Sequence, residues 1–440
     1  MHLVAGMRDR DRPTSAIPDG FAASPIPEQF AQTGSSASFD DVKPAYTHVA
    51  AFDRRLIKEL LADLTAHPDA AMEYLYARLF TAHPDLRGFF QHAMTQTRAA
   101  AFRELTRLLE GLDDLQRTEQ RLAQVARDHR KFGVRKNHYR PFFDAVVAMA
   151  EHISGPSWTS QSAAAWREAT EWFAAVMAAA AAEDGDRQPA WWTGEIVQHD
   201  RRTETVAVLT IRPDRPLSYA PGQYVQIQTP RWPRIWRSYS IANAPRDNGL
   251  IDIHVRAVPG GMVSMALVSH CTTGDIVLLA AARGEMRVPA DPSRDLVCVA
   301  GGTGLAPLKA IIEAVVSAAG QGRRREITLY VGVRRQRELY DGRDLETLKL
   351  AYPPLTVIPV AEHELDFAGR VGWLPEVVGT HPSFRDCDVY VAGPAGLVRK
   401  SAHTLSKRVP ADRLHHDPIE ALELARRPQL EQLSPPAGDD

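Results

Sequence analysis

Cysteine is scarce, and what there is lies scattered. Cys271, Cys298 and Cys387 are the only three in 440 residues. Their spacing offers no zinc pair, no four-cysteine set for an iron–sulfur cluster and no disulfide framework, which is the usage expected of a reducing, cytoplasmic compartment. An excess of one charge is also missing. Lys and Arg number 52 against 54 Asp and Glu, a formal net charge of -2, and no long basic run occurs, so nucleic acid is not an expected partner. The longest apolar run, WFAAVMAAAAA at 172–182, falls short of the roughly 20 residues a spanning helix needs. The opening MHLVAGMRDRDRP turns to charge before an apolar signal core can form. A soluble protein without stable membrane association is expected.

What is present comes in blocks. Residues 1–44 mix Pro, Ser, Gly, Ala and Asp without periodic apolar spacing and read as a disordered leader. From 45 to 185 Ala, Leu, Arg and Glu dominate at helical spacing, which predicts an all-α domain. TAHPD occurs at 65–69 and again at 81–85, each time setting a proline where a helix can begin. EDGDRQPA, 183–190, is polar, carries Gly and Pro, and reads as a linker. From 191 to 290 short Val/Ile/Thr runs between turn residues, such as TETVAVLTI and GQYVQIQ, predict an antiparallel β-barrel. From 291 to 418 strand-like and helix-like stretches alternate, the pattern of a parallel sheet with crossover helices. The tail, 419–440, reads as a short helix followed by a Pro/Asp-rich end without functional pattern. The expected fold class is therefore multidomain: all-α, then antiparallel barrel, then α/β.

Two glycine loops carry the first chemistry. VCVAGGTGLAP sets Gly301, Gly302, Thr303, Gly304 and Pro307 between an apolar strand and an apolar helix, where bare backbone can approach a pyrophosphate and the helix start supplies amide hydrogens. A structural tight turn is the competing reading. PGGMVSMAL, with Gly260, Gly261, Val263 and Ser264, repeats the arrangement 41 residues earlier, so two dinucleotides are suggested. In WRSYSIANAP, Arg237 offers a charged fork for phosphate, Tyr239 a flat face for an isoalloxazine and Ser240 a hydroxyl for a ring nitrogen. On a regular strand Ser240 would point away from the other two, so a local bend is expected there. The order PGQY (ending in Tyr224), Arg-x-Tyr-Ser, Gly-Gly-x-x-Ser, glycine loop, then VAGP (with Gly393 and Pro394) resembles the ferredoxin-reductase family over the C-terminal half. That resemblance implies an FAD barrel, a nicotinamide domain, and hydride passing from NADH or NADPH to the flavin. Ala392 stands where the family often has Cys. Arg334 and Arg335 could meet a 2'-phosphate or simply be solvated, and the balance falls to NADH.

The flavin needs an acceptor, and the helical block is the candidate. In RDHRKFGVRKNHY, His129 shares the stripe of Leu122, Val125 and Phe132, with Gly133 placed to end the helix. Such a histidine is a ligand or a satisfied core residue. His92, His138 and His152 sit in more polar company and read as surface. Tyr139 heads the next apolar stripe and faces the same interior, from which it could hydrogen-bond the outer imidazole nitrogen. Upstream, Tyr76 and Phe90 are either core or the hydroxyl and the flat wedge of a porphyrin site. In order and spacing residues 50–182 resemble a bacterial globin, and globin plus reductase resembles the flavohaemoglobins. The resemblance implies His129 as proximal ligand of haem b iron, Tyr139 as its partner, Tyr76 as distal tyrosine and Phe90 as wedge. It further implies that electrons pass from NAD(P)H through FAD to haem, with O2 and NO as small substrates and nitrate as product. Thr97 falls where the family has a distal glutamine, Ala101 where it has leucine, Ala181 where it has a proximal glutamate, and Ile419 where it stacks an aromatic on the flavin. These departures keep two alternatives open: a flavin reductase whose helical domain lacks haem and docks another acceptor, and a haem-based gas sensor. Oligomeric state is not readable from the sequence.

Overall fold

The computed structural model describes residues 52–90, 94–288, 292–318, 324–364 and 366–418. The leader 1–44, His92, Ile419 and the tail 419–440 lie outside the described residues. The helical part consists of α1 (Arg54–Ala66), α2 (Pro68–Ala82), α3 (Thr95–Glu110), α4 (Leu115–His129), α5 (Lys136–Ser154) and α6 (Ser160–Arg187). Asp53 starts α1 by accepting the Arg55 and Leu56 amides at 3.0 and 3.4 Å, donors a helix start otherwise leaves bare. The first TAHPD begins α2, whereas the second begins a 3-10 turn, Pro84–Phe89. Asp114 caps α4 through the Arg117 amide at 3.0 Å. That helix buries Thr118, Leu122 and Ala126, one residue per turn on a single face. Trp166, Phe173, Leu75 and Met72 fill the interior.

One expectation fails at the end of this part. The polar run 183–190 is not all linker, since α6 continues through Gly185 to Arg187. Its buried Asp184 forms an ion pair with Arg130, and the Arg130 guanidinium also donates to the Gln188 carbonyl at 2.8 Å. A tertiary ion pair thus overrides the helix-weakening glycine.

The barrel comprises β1 (Trp192–Arg201), β2 (Val206–Pro213), β3 (Tyr224–Gln228), β4 (Arg237–Ser240), β5 (Ile251–Arg256), α7 (Met262–Ser269) and β6 (Ile276–Leu279). Its antiparallel order is β4-β3-β6-β1-β2-β5, and a bridge from Ile241 to Ile253 brings β4 round towards β5. Alternate residues such as Ile196, Leu209, Val225, Ile227 and Ile253 fill the middle, the two-residue period of strands with one wet face.

The last part runs β7 (Asp295–Gly301), α8 (Leu305–Ala318), β8 (Ile327–Val333), α9 (Gly342–Ala351), β9 (Leu355–Ala361), β10 (Arg370–Val371), α10 (Leu374–Gly379), β11 (Cys387–Ala392), α11 (Ala395–Leu405) and β12 (Leu414–His415). The sheet order is β10-β9-β8-β7-β11-β12, and every pair is parallel. Its central strands are largely apolar, with Asp295, Thr328 and Asp388 near their starts, because helices cover both faces. A polar latch joins this sheet to the barrel. Lys309 on α8 reaches Asp341 at 2.9 Å and Asp344 at 3.2 Å, and Arg202 reaches Asp344 at 3.0 Å. Beside it His254 Nδ1 lies 2.7 Å from the Tyr340 hydroxyl, and burial pulls its pKa down to about 3. The expected fold class is realised in all three parts. Among the described residues no helix is long and apolar enough to cross a membrane.

Candidate functional site

α4 ends at His129, and the chain then makes a 3-10 turn, Arg130–Phe132, closed by Gly133 at φ 84°. Glycine suits that left-handed position. His129 follows buried Ala126 by about one turn and is itself half-buried. Burial pulls its pKa down to about 4 against the opposing charge of Asp128, so the imidazole is neutral near pH 7, the form that ligates metal. No hydrogen bond holds its side chain among the described residues. The helical core also leaves Phe89, Phe90, Met94, Ala101, Phe102 and Val125 only part-buried. A neutral, uncommitted imidazole and a set of half-covered apolar side chains fit a porphyrin whose iron takes one ring nitrogen.

Tyr76 and Phe90 pack together, with ring centroids 5.4 Å apart and edge-on, and Phe80 completes the cluster at 5.7 Å from Tyr76 and 5.3 Å from Phe90. Burial raises the Tyr76 pKa, opposed by the charge of Arg98, so its hydroxyl is a protonated donor. Two expected positions move. Tyr139 does not bond His129: its hydroxyl donates to the Ala126 carbonyl at 3.4 Å, an acceptor of the last helical turn that α4 leaves without an intrahelical partner. Thr97 does not line the cavity beside Tyr76. The residues of α3 that do are Thr95 and Arg98, preceded by Met94. A one-position rotation on the helix replaces a hydroxyl by a guanidinium. Ala181 is buried in the core, and the nearby acid of α6, Asp184, is bound to Arg130 rather than to the Tyr139 hydroxyl. His138 is half-buried against Phe89 with centroids 4.8 Å apart, and exposed His152 stacks on Tyr74 at 4.0 Å.

On the barrel, β3 and β4 pair without interruption, Ile227 with Arg237, Val225 with Tyr239 and Tyr224 with Ser240. The bend expected at Ser240 is absent. Opposed residues share a face, so Ser240 stands beside Tyr224, while Arg237 and Tyr239 share the other side. Arg237 is half-buried, and its only hydrogen bond among the described residues goes to the Trp236 carbonyl at 2.8 Å. Desolvation lowers its pKa and no carboxylate offsets it, which is the condition of a guanidinium awaiting an anion such as phosphate. Gly260 adopts φ 74°, and a Cβ on Gly261 would come within 2.5 Å of the Ser264 hydroxyl. That hydroxyl accepts from the Val258 amide and donates to the Gly261 carbonyl, both at 3.2 Å. Ser264 therefore closes the loop, Val263 anchors it in the core, and the amides at the start of α7 are what a pyrophosphate could meet.

The second glycine loop is a close crossing of backbones. A Cβ on Gly304 would sit 2.4 Å from the Ala392 carbonyl carbon, and one on Gly301 would sit 2.2 Å from a Leu397 methyl. Gly302 and Gly393 take φ of 55° and 149°. Thr303 lies in the loop, Pro307 is buried in the first turn of α8, and Pro394 leads into α11. Arg334 is paired with Glu338 at 3.3 Å, which leaves exposed Arg335 as the nearer candidate for a 2'-phosphate.

The two sites adjoin. Asp128, the neighbour of His129, pairs with Arg283 at 3.3 Å, and Arg283 exchanges both backbone hydrogen bonds with Tyr224 at 2.8 Å. Lys131, two residues past His129, donates to the Gln226 side chain on the same strand β3. The histidine turn is therefore pinned to the strand that carries the flavin-motif tyrosine. Arg98, Asp128 and Arg283 carried no spacing signal in the sequence, since each acquires meaning from a partner elsewhere in the fold.

Comparisons with known proteins follow the same division. The globin family model matches residues 73–177, the oxidoreductase FAD-binding domain 194–288 and the oxidoreductase NAD-binding domain 298–403. An NAD(P)H-flavin reductase of Aliivibrio fischeri is 30% identical over 218 residues, 48% of this chain and 90% of that protein. A flavohemoprotein of Halalkalibacterium halodurans is 25% identical over 297 residues, 62% of this chain and 71% of that protein. The solved flavohemoglobin of Malassezia yamatoensis, with bound FAD and heme, superposes with a TM-score of 0.67 at 17% identity, covering 83% of this chain and 97% of that one. This likeness speaks for the fold. The chain spans 55–61% of the length of three curated relatives that it also matches, an electron transfer component of a xylene/toluene monooxygenase and two ferredoxin–NAD(P)(+) reductase components of naphthalene dioxygenase systems.

Proposed function

The chain belongs to the flavohaemoglobin family, with a reductase half of the NAD(P)H-flavin reductase kind, and from that premise we propose that it is a haem- and FAD-dependent NAD(P)H oxidoreductase that converts nitric oxide and oxygen to nitrate. One observation carries this reading: the turn bearing His129 is fastened by Asp128–Arg283 and Lys131–Gln226 to the strand bearing Tyr224. Haem, when bound, supplies one-electron chemistry and oxygen activation. His129 offers it a neutral nitrogen, and Phe90 packs as the apolar wedge. The Tyr76 hydroxyl, protonated and lining the cavity of α2 and α3, would be a donor able to steady negative charge developing on a small ligand. Arg237 neutralises flavin phosphate, and Tyr224 and Tyr239 flank the strand pair where the ring would lie. The Gly302–Gly304 crossing would admit the pyrophosphate of the nicotinamide coenzyme, NADH or NADPH, and exposed Arg335 is the residue on which that choice turns. The test is anaerobic reduction of the purified protein by NADH followed by NO and air: Soret reduction and stoichiometric nitrate are expected, and reduction without nitrate would reject the dioxygenase assignment.

A second reading, a flavin reductase whose helical part docks another acceptor, draws on the Tyr139 hydroxyl bonding Ala126 rather than His129. Flavin absorbance with no Soret band after haem supplementation would select it.

A further inference from the structure

A cavity of about 420 Å³ opens between α2, the Pro84–Phe89 turn and the start of α3. Tyr76 and Phe80 form its aromatic wall, and Arg87 and Arg98 its charged one. Arg87 is engaged, lying 5.4 Å from the Phe80 ring centroid and donating to the Phe90 carbonyl at 3.3 Å. Arg98 differs. Its Nε is buried without a hydrogen-bond partner, and no carboxylate pairs with its guanidinium among the described residues. Glu73, the one carboxylate among the lining residues, is exposed and forms no ion pair with it among the described residues. The first turn of α3 carries no acidic side chain, and Met94 at its N-cap supplies no side-chain acceptor. The positive end of the helix adds to the charge there.

A desolvated guanidinium N–H with no acceptor is costly unless a ligand supplies one. Tyr76, whose pKa registers the Arg98 charge, brings a second donor to the same cavity. We propose that Arg98 and the Tyr76 hydroxyl form an oxyanion site that takes a small planar group with two oxygens, a nitrite or a carboxylate. The guanidinium fork matches such a group with parallel N–H donors, and the phenol adds a third. Two sources share this chemistry: a free small oxyanion, and a carboxylate borne on the edge of a bound porphyrin. In either case Arg98, and not Thr97, is the polar residue that α3 turns towards Tyr76, and the pocket selects by charge where a neutral amide would not.

The test uses the full chain, haem-loaded, as wild type, R98L and R98K, with sodium nitrite titrated calorimetrically and haem transfer to excess apomyoglobin timed in parallel. A free-anion site predicts nitrite heat in wild type, affinity about tenfold or more weaker in R98L, and less than about threefold weaker in R98K, which keeps the charge but not the fork. A porphyrin carboxylate as occupant predicts a nitrite affinity equal in wild type and R98L, since any nitrite then binds without Arg98, with haem leaving R98L several-fold faster and R98K near the wild-type rate. A preparation lacking a Soret band would count against the haem reading alone, and the nitrite titration would still decide on Arg98. The proposal is overturned if R98L matches wild type in both measurements, if R98L and R98K fail alike, as a packing role predicts, or if a haem-free wild type gives no nitrite heat.

Discussion

The helical half and the reductase half prepare their sites by different physical means. In the reductase half the chain itself makes the site: backbones cross so closely that Gly304 and Gly301 leave no room for a Cβ, and amides at helix starts face outward for phosphates. In the helical half the candidate site consists of single side chains: His129 at the end of one helix, Tyr76 on another, Arg98 on a third. A backbone site tolerates few departures because each changes the chain path. A side-chain site can be rebuilt one residue at a time, and it is there that the sequence reading expected departures, at Thr97, Ala101 and Ala181.

The strongest way to break this comparison is His129→Ala. With the nitrogen that would hold the iron removed, haem content after purification is expected to fall below about a tenth of wild type, by pyridine haemochrome assay, while FAD content stays unchanged. A variant that kept both would mean that the helical half does not depend on that side chain. Next comes Arg237→Ala, which removes the desolvated charge awaiting phosphate. A lost charge-assisted hydrogen bond of about 1.5–3 kcal/mol corresponds to FAD affinity weakened about 10- to 100-fold, read by flavin fluorescence on dilution, with the Soret band unmoved. Gly304→Ala tests the crossing of backbones. Its Cβ would meet the Ala392 carbonyl at 2.4 Å, so a cost of about 1–3 kcal/mol is expected, seen as a lower unfolding midpoint of the reductase half and a higher KM for NADH. Arg283→Ala gives the smallest effect, because a part-exposed ion pair contributes about 0.2–1 kcal/mol. Electron passage from flavin to haem should slow several-fold in stopped flow while flavin reduction by NADH keeps its rate. Equal slowing of both steps would deny Asp128–Arg283 its place between the sites.

The same division decides what could be read from sequence. Helix and strand periods, the glycine loops and the Arg-x-Tyr-Ser string are local patterns, so the three-part architecture and the flavin and nicotinamide loops were legible before any coordinates. His129 stood out as a candidate on the stripe of Leu122, Val125 and Phe132, of which α4 buries Leu122 and leaves Val125 part-buried. What escaped was long-range pairing. Nothing near Asp184 in the chain announces Arg130, 54 residues earlier, and so a helix was read as a linker. Nothing near Asp128 announces Arg283, 155 residues later. The choice between Thr97 and Arg98 turned on about 100° of helix rotation, finer than the spacing from Phe90 could resolve. The bend expected at Ser240 assumed that all three motif residues face one ligand surface, whereas the unbroken ladder puts Ser240 with Tyr224.

The central claim is that His129 holds haem iron next to a reducible flavin, and anaerobic stopped-flow addition of NADH to the purified chain tests it most directly. Bleaching of the flavin band followed by a shift of the Soret band, with the second phase lost in His129→Ala, is the predicted result. Flavin bleaching with no Soret band to shift, or a Soret response that survives the alanine substitution unchanged, would contradict it.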